Sequence, residues 1–335
     1  MATRNAVNDD RTTCALWYAA RGMVAVRSEP LRAPGTDEVL VRTLFSGVSR
    51  GTERLVLSGA IGQSEWERMR APLQVGDFPF PVKYGYCAAG VVEQGPPALV
   101  GRTVFVLHPH QERFIVPASM AVPVPDAVPA RRATLAAAIE TALNAIWDAE
   151  AGPADRIVVV GGGSVGLLVG YLTSQLPGAA VTLVDVAAER AIVADALGLG
   201  FALPDQAPEN ADVVFHSSAT AAGLATAIRS AGFEAPIVEL SWYGEGTVAA
   251  SLGGAFHSRR LRLVASQVSH VAPNHRPRWN HRRRLETALS LLQDPILDRL
   301  ITDEIDFDEA PLQLPRLLSP SAPGVATVIR YDACQ

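Results

Sequence analysis

Gly161, Gly163 and Gly166 lie in the run RIVVVGGGSVGLLVGYL, from Arg156 to Leu172, and their spacing is G-x-G-x-x-G. That spacing suits a pyrophosphate. The first glycine permits a tight turn from strand to helix, the second lets phosphate approach the backbone, and the third lets the helix pack closely on the strand. Ser164 and Val165 open that helix, where N–H groups without an intrahelical partner face an anion. Asp185 ends the second apolar stretch, AVTLVD. It follows the last glycine by about 20 residues, the position from which a carboxylate accepts both ribose hydroxyls of an adenosine and repels a 2′-phosphate. NAD is therefore the expected cofactor. NADP stays possible through Arg190, which could pair with a 2′-phosphate if Asp185 turned away.

The elements that must position these residues follow from the rest of the pattern. The β-branched run Ile157–Val160 reads as a strand buried on both faces. After it, strands and helices alternate: AVTLVD, then AAERAIVADALGLG; DVVFHSSA, then GLATAIRSA; PIVELSWYG, then a loop into LRLVASQVS. Such alternation predicts a doubly wound parallel sheet whose ligands sit at the carboxyl ends of the strands. Ser217, Ser218, Ser241 and Ser266 occupy those ends and are cofactor-binding candidates. The helix Arg282–Pro295 closes the unit, and LITDEIDF and VATVIRYD are two late strands returning to the first domain.

Upstream, from Cys14 to about Val124, short apolar or alternating runs are separated by Pro34-Gly35, Gly95-Pro96 and similar turn signals, which reads as a small irregular β-barrel. Ala130–Gly152 has the alanine content of one helix, with the domain boundary within it near Ile146. The expected division is thus 1–145, 146–296 and a return at 297–335.

The 335 residues allow two cores. With 48% hydrophobic and 19% charged residues and a net charge of −5, the composition suits a globular enzyme and argues against a nucleic-acid surface. Cys14, Cys87 and Cys334 are too few for a four-cysteine zinc lobe and suit a reducing compartment. The N-terminal MATRNAVNDD lacks the apolar core of a signal peptide, and no stretch reads as a membrane span, so the expected location is the cytoplasm.

This organisation resembles the medium-chain dehydrogenase/reductase superfamily. The resemblance is carried by SGVSRGTE at Ser46–Glu53, KYGYCAAGVV at Lys83–Val92, TAL at Thr141, VVVGGGSVG at Val158–Gly166 and Val184-Asp185 with Arg190. SRGTE and HPHQ are closer to the branch with bacteriochlorophyllide dehydrogenase-like proteins than to alcohol dehydrogenases. The resemblance implies an α/β chain with a GroES-like β-barrel catalytic domain and a Rossmann domain, hydride transfer in the cleft between them, and a homodimer formed through the strand LRLVASQVS.

It also exposes departures. Where zinc members carry cysteine, a His-Glu pair and a third ligand, this chain has Ser49, Tyr86-Cys87 and Ala137. A catalytic zinc needs about three protein ligands, so zinc is not expected. Without it, a hydrogen-bond donor or general acid must stabilise the substrate oxygen. Tyr86, at the metal-histidine position, is the first candidate, against the plain reading of a core tyrosine.

His108, with His110 behind it, lies at a barrel strand's end and could exchange a proton or simply face solvent. Glu140 sits among apolar residues, where burial raises a carboxyl, and Asn144 could instead hold it as a structural partner. Ser49 joins the catalytic candidates; Arg50 and Glu53 line the same region or form a surface ion pair. Within HRPRWNHRRR, Arg276, Arg278 and Arg282 are a solvated face or an anion site, and Arg259 and Arg260 are weaker candidates.

Trp66, Phe78 and Phe80 suggest an apolar wall. The reading is a zinc-independent oxidoreductase acting on an alcohol, carbonyl or activated alkene. Two alternatives are a zinc enzyme with displaced ligands such as Cys87, His108 and Glu140, and a dinucleotide-binding or redox-sensing protein without turnover.

Overall fold

The computed structural model describes residues 12–331; Cys334 and the N-terminal segment read for targeting lie outside them. The described chain forms two units, 12–134 with 304–322 and 328–331, and 135–303 with 323–327.

The first unit is the β-rich one. Its early strands are β1 Thr12–Ala20, β2 Met23–Pro30 and β3 Glu38–Val48. A helix, α1 Arg50–Ser58, follows and stops at Gly59, whose φ of 64° supplies a left-handed cap. Then come β4 Val75–Gly76, β5 Val82–Lys83, β6 Ala88–Gln94, β7 Thr103–Val106, β8 Arg113–Pro117, β9 Val122–Pro123 and the short helix α2 Ala130–Ala133. Two sheets result. One has the order β2-β1-β5-β4. In the other, β3 pairs with β6 and β8, β6 with β7 and β7 with β9.

Val39, Val41, Val92, Val104, Val106, Phe114 and Val116 form one continuous core cluster there. Their β-branched bulk fills a pleated surface well. The expected barrel strands are present; β2, β4, β5, β9 and α1 are additions to the sequence reading.

The second unit begins with α3 Ala136–Ala149. The helix expected over 130–152 is therefore two helices, the first ending at Ala133 and the second beginning at Ala136, beside the division between units. The division thus falls before the long helix rather than within it near Ile146, because α3 packs with the helices of the second unit.

Six parallel strands follow: β10 Arg156–Val160, β11 Ala180–Val184, β12 Gly200–Ala202, β13 Val213–His216, β14 Pro236–Glu239 and β15 Arg262–Ala265. Helices α4 Ser164–Ser174, α5 Arg190–Ala196, α6 Ala221–Ser230, α7 Ala255–Ser258 and α8 His281–Leu291 connect or close them. The order β12-β11-β10-β13-β14-β15 is the doubly wound Rossmann order, reversing between β10 and β13. Val158, Val160, Val184, Val214 and Ile237 pack beneath Leu224, Ala227 and Ile228 of α6.

The chain ends with β16 Ile301–Asp306, α9 Ala310–Leu317 and β17 Ala326–Arg330. Its last strands extend the larger barrel sheet as β16-β17-β3, as the two late runs predicted. Among the described residues no helix is long and apolar enough to cross a membrane.

Candidate functional site

The glycine loop stands at the point where the strand order reverses. Gly161, at φ 113°, takes a conformation that a side chain disfavours, and a Cβ there would press on Ser217 and Ser218. A Cβ at Gly166 would run into the Gly161 carbonyl, whereas one at Gly163 would meet nothing within 4 Å. The three glycines therefore do different things: two close the turn and the middle one leaves room. The first intrahelical bond of α4 is Leu167 N–H to the Gly163 carbonyl, and no side chain caps the helix. The N–H groups of Ser164, Val165 and Gly166 precede that bond, and a phosphate can accept from them.

Asp185 follows β11. Its Oδ2 accepts from Gly162 N–H at 2.5 Å and its Oδ1 from Ala187 N–H at 2.8 Å, so loop and carboxylate are one structure. Arg190 lies against the same glycine: a Cβ on Gly162 would meet both Asp185 and the Arg190 stem. Its guanidinium donates to the Gly324 carbonyl at 2.5 Å.

Ser217 braces the turn from the other side, donating to the Gly161 carbonyl at 3.1 Å. Ser241 Oγ accepts from Ala219 N–H at 3.0 Å and ties the ends of β13 and β14 together. Ser218 hydrogen-bonds to His216. Ser266, past β15, donates instead to Asp148 at 2.7 Å. The cradle, the open middle glycine and the acid one strand away fit a dinucleotide.

The catalytic candidates are distributed otherwise. Tyr86 OH donates to Thr52 Oγ at 3.3 Å. Burial first, and neighbouring Cys87 next, push its phenol above the usual range, so it stays protonated and can act as a donor. Ser49 is the residue before α1, and its N–H donates to Glu53 at 2.7 Å.

His108 is a core histidine. Its ring stacks on Phe114 with centroids 3.7 Å apart, its Nδ1 bonds the Pro109 carbonyl, and burial drives it down to about 3. It is neutral at any ordinary pH.

Glu140 is met by a partner that sequence reasoning missed. Arg284, itself buried, donates to Glu140 at 2.9 Å and to Asn144 at 2.6 Å, and also reaches the Val268 carbonyl. Burial raises the Glu140 carboxyl and Arg284 partly offsets that.

Glu53 is not in a surface pair with Arg50. It is fully buried and accepts from Tyr18 OH at 2.5 Å, from Ser49 N–H and from His110 Nε2 at 3.1 Å, while Arg50 donates to the Ala322 carbonyl. With Glu53 as carboxylate, His110 carries its hydrogen on Nε2, Nδ1 accepts from Ser46 at 2.6 Å, and Tyr331 donates to Ser46 at 2.9 Å.

Four of the other cationic candidates and two of the aromatic ones also have partners. Arg276 donates to the Val271 carbonyl, Arg282 pairs with Glu286, Arg259 donates to the Ala231 carbonyl and Arg260 pairs with Glu234. Phe78 is buried against Tyr84, and Trp66 donates to the Ile61 carbonyl.

Zinc does not fit these residues. Ser49, Tyr86, Cys87 and Ala137 offer one thiol where a ligand set is needed. Among the described residues no group of three His, Cys, Asp or Glu side chains could hold a metal ion. No step below uses a metal.

The fold that these elements define is shared with several dehydrogenases of known structure. L-idonate 5-dehydrogenase of Escherichia coli superposes with a TM-score of 0.78 at 15% identity, over 96% of this chain and 98% of that one. A Sinorhizobium meliloti protein described as a zinc-binding dehydrogenase, bound to NADP, gives 0.76 at 19% identity over 96% and 99%. An Escherichia coli alcohol dehydrogenase bound to NADH gives 0.75 at 16% over 95% and 99%. No family model matches the chain.

Proposed function

We propose that the chain is a zinc-independent oxidoreductase that moves a hydride between a nicotinamide dinucleotide and an alcohol, carbonyl or activated alkene. The observation that carries this is the glycine cradle joined to Asp185 at the switch point of the sheet. The likeness to dehydrogenases that bind NADH or NADP supports the same reading. Gly161, Gly163 and Gly166, with the N–H groups of Ser164 and Val165, hold the pyrophosphate, and Asp185 holds the adenosine ribose. A bound nicotinamide supplies the hydride acceptor or donor.

The Asp185 charge repels a 2′-phosphate, so NAD(H) is preferred, with Arg190 the group through which NADP(H) would be accepted. Tyr86, kept protonated, and Ser49 donate hydrogen bonds to the substrate oxygen in place of a Lewis acid. The protein acts in the cytoplasm as a homodimer.

Fluorescence titration with NADH and NADPH tests the cofactor half. Saturable binding with NADH the tighter supports it, and tighter NADPH overturns the Asp185 argument. Absorbance-monitored reduction of NAD by a panel of secondary alcohols and polyols tests the rest. Tyr86→Phe is expected to lower turnover by about 10²-fold with NADH affinity retained; full turnover removes Tyr86 from the mechanism, and binding without turnover on any alcohol, carbonyl or alkene leaves a sensor.

A further inference from the structure

Three side chains in the second unit form a linear chain that the cofactor reading does not use. His216 ends β13, Glu239 ends β14, and the parallel register pairs these two residues directly. His216 Nδ1 lies 2.7 Å from Glu239 Oε2, and His216 Nε2 lies 2.7 Å from Ser218 Oγ. A carboxylate only accepts, so with Glu239 ionised the imidazole carries its hydrogen on Nδ1 and Nε2 accepts from the Ser218 hydroxyl. This is a base whose tautomer is set by an acid and whose free nitrogen polarises a hydroxyl.

The surroundings hold it in that state. Glu239 also accepts from Tyr243 OH at 3.1 Å and from Ser241 N–H at 2.8 Å. Burial pushes its carboxyl up, but the bonds from His216 and Ser241 outweigh this and leave it below its usual range. Tyr243, the other titratable group facing the imidazole, is pushed up to about 12 by burial and then by Glu239, and stays protonated. Ser218 shares a bond of 3.0 Å with Thr220, and a Cβ on Gly223 of α6 would collide with the Ser218 hydroxyl, so only glycine leaves space for it. His216 is fully buried and Ser218 is half-buried, which makes the hydroxyl the outlet of the chain.

Position gives it a purpose. β11, which carries Asp185, and β13 with β14 lie on opposite sides of β10. With an adenosine held at Asp185 and a pyrophosphate at the start of α4, the other half of a dinucleotide would be directed toward the ends of β13 and β14.

We propose that Ser218, His216 and Glu239 are the proton relay for a hydroxyl oxidised at this end, an assignment that rests on the oxidoreductase reading. The hydroxyl proton passes to Ser218 Oγ as the Ser218 proton passes to His216 Nε2. A bound nicotinamide would supply the acceptor for the hydride that leaves as the C=O bond forms, and the imidazolium beside Glu239 holds the proton until water takes it. Reduction runs the same path backward.

The test is proton release on mixing the full chain with NAD or NADH in weakly buffered dye solution at a series of pH values, with affinities measured in parallel by fluorescence quenching. The positive oxidised ring disfavours a neighbouring imidazolium, so NAD releases more protons than NADH from the native protein. His216→Gln is expected to abolish the difference with NADH binding retained. Glu239→Gln, of equal size, is expected to shrink it, because the imidazolium loses its anionic partner. Equal release with the two nucleotides, or a difference that persists in His216→Gln, overturns the relay. Failure of the native protein to bind either nucleotide overturns the oxidoreductase reading and the relay with it, and the titration tells that outcome apart.

Discussion

His108 shows how a residue that looks chemical becomes structural. Stacked on Phe114 and bonded to a carbonyl, it is held neutral down to about 3, against 6.5 for a free imidazole. Between those values the unfolded chain binds a proton that the folded chain refuses. The stability contributed is therefore complete above pH 6.5 and is lost as pH falls toward 3. By pH 5 the loss is about 2 kcal/mol, from 1.36 kcal/mol per unit. Denaturant unfolding at pH 7 and pH 5 should show a smaller loss in His108→Gln than in the native protein; equal losses would contradict the assignment.

The contrast with the glycine loop explains what sequence could show. Gly161, Gly163, Gly166 and Asp185 were legible because their spacing along one strand-turn-helix-strand run is itself the signal, although Ser217 and Ser218 of a distant strand end also press on Gly161. His216 and Glu239 were not, although each stands just before a serine singled out at a strand end. Their meeting depends on the register of β13 against β14, which neither segment reveals alone.

At the scale of elements, Glu140 and Arg284 join α3 to α8 and to the segment 268–272. Apolar neighbours around Glu140 suggested a carboxyl with a raised pKa, and the direction was right. The partner was invisible because Arg284 lies within a run of three arginines, with no local sign that one points inward. Removing one member leaves a buried charge, so Arg284→Met should destabilise by about 3 kcal/mol. Glu140→Leu combined with Arg284→Met should cost markedly less. Unfolding midpoints of the two variants decide it: an equal or larger loss in the double variant would mean that the pair is favourable beyond its burial.

The same scale shows where periodicity failed. A continuous helix over 130–152 was a fair reading of alanine-rich sequence, but the first helix stops at Ala133 and the second starts at Ala136, a two-residue break that a propensity argument does not contain.

At the scale of the whole molecule, β15 is the last strand of its sheet, with Leu263 47% exposed. An open edge of this kind invites pairing with another copy, and Leu263→Lys should shift a homodimer toward monomer in sedimentation velocity; a native protein that sediments as a monomer would contradict the dimer. The sequence order of strands and helices made the two-unit architecture legible, since each βαβ step is set by short connections. The late return strands were legible too, from two apolar runs with only a short helix between them.

The central claim is that the glycine cradle binds a dinucleotide pyrophosphate, and Gly163 offers the most direct test. A side chain there meets no neighbour within 4 Å, so Gly163→Asp should fold as the native chain does while placing a carboxylate where the phosphates would lie. NADH titration of the two proteins, with melting curves as the folding control, is the measurement. Saturable binding by the native chain and at least a tenfold weaker affinity in Gly163→Asp, roughly 1.4 kcal/mol, is the predicted result. Equal affinity in both, or no binding by the native chain, would contradict it.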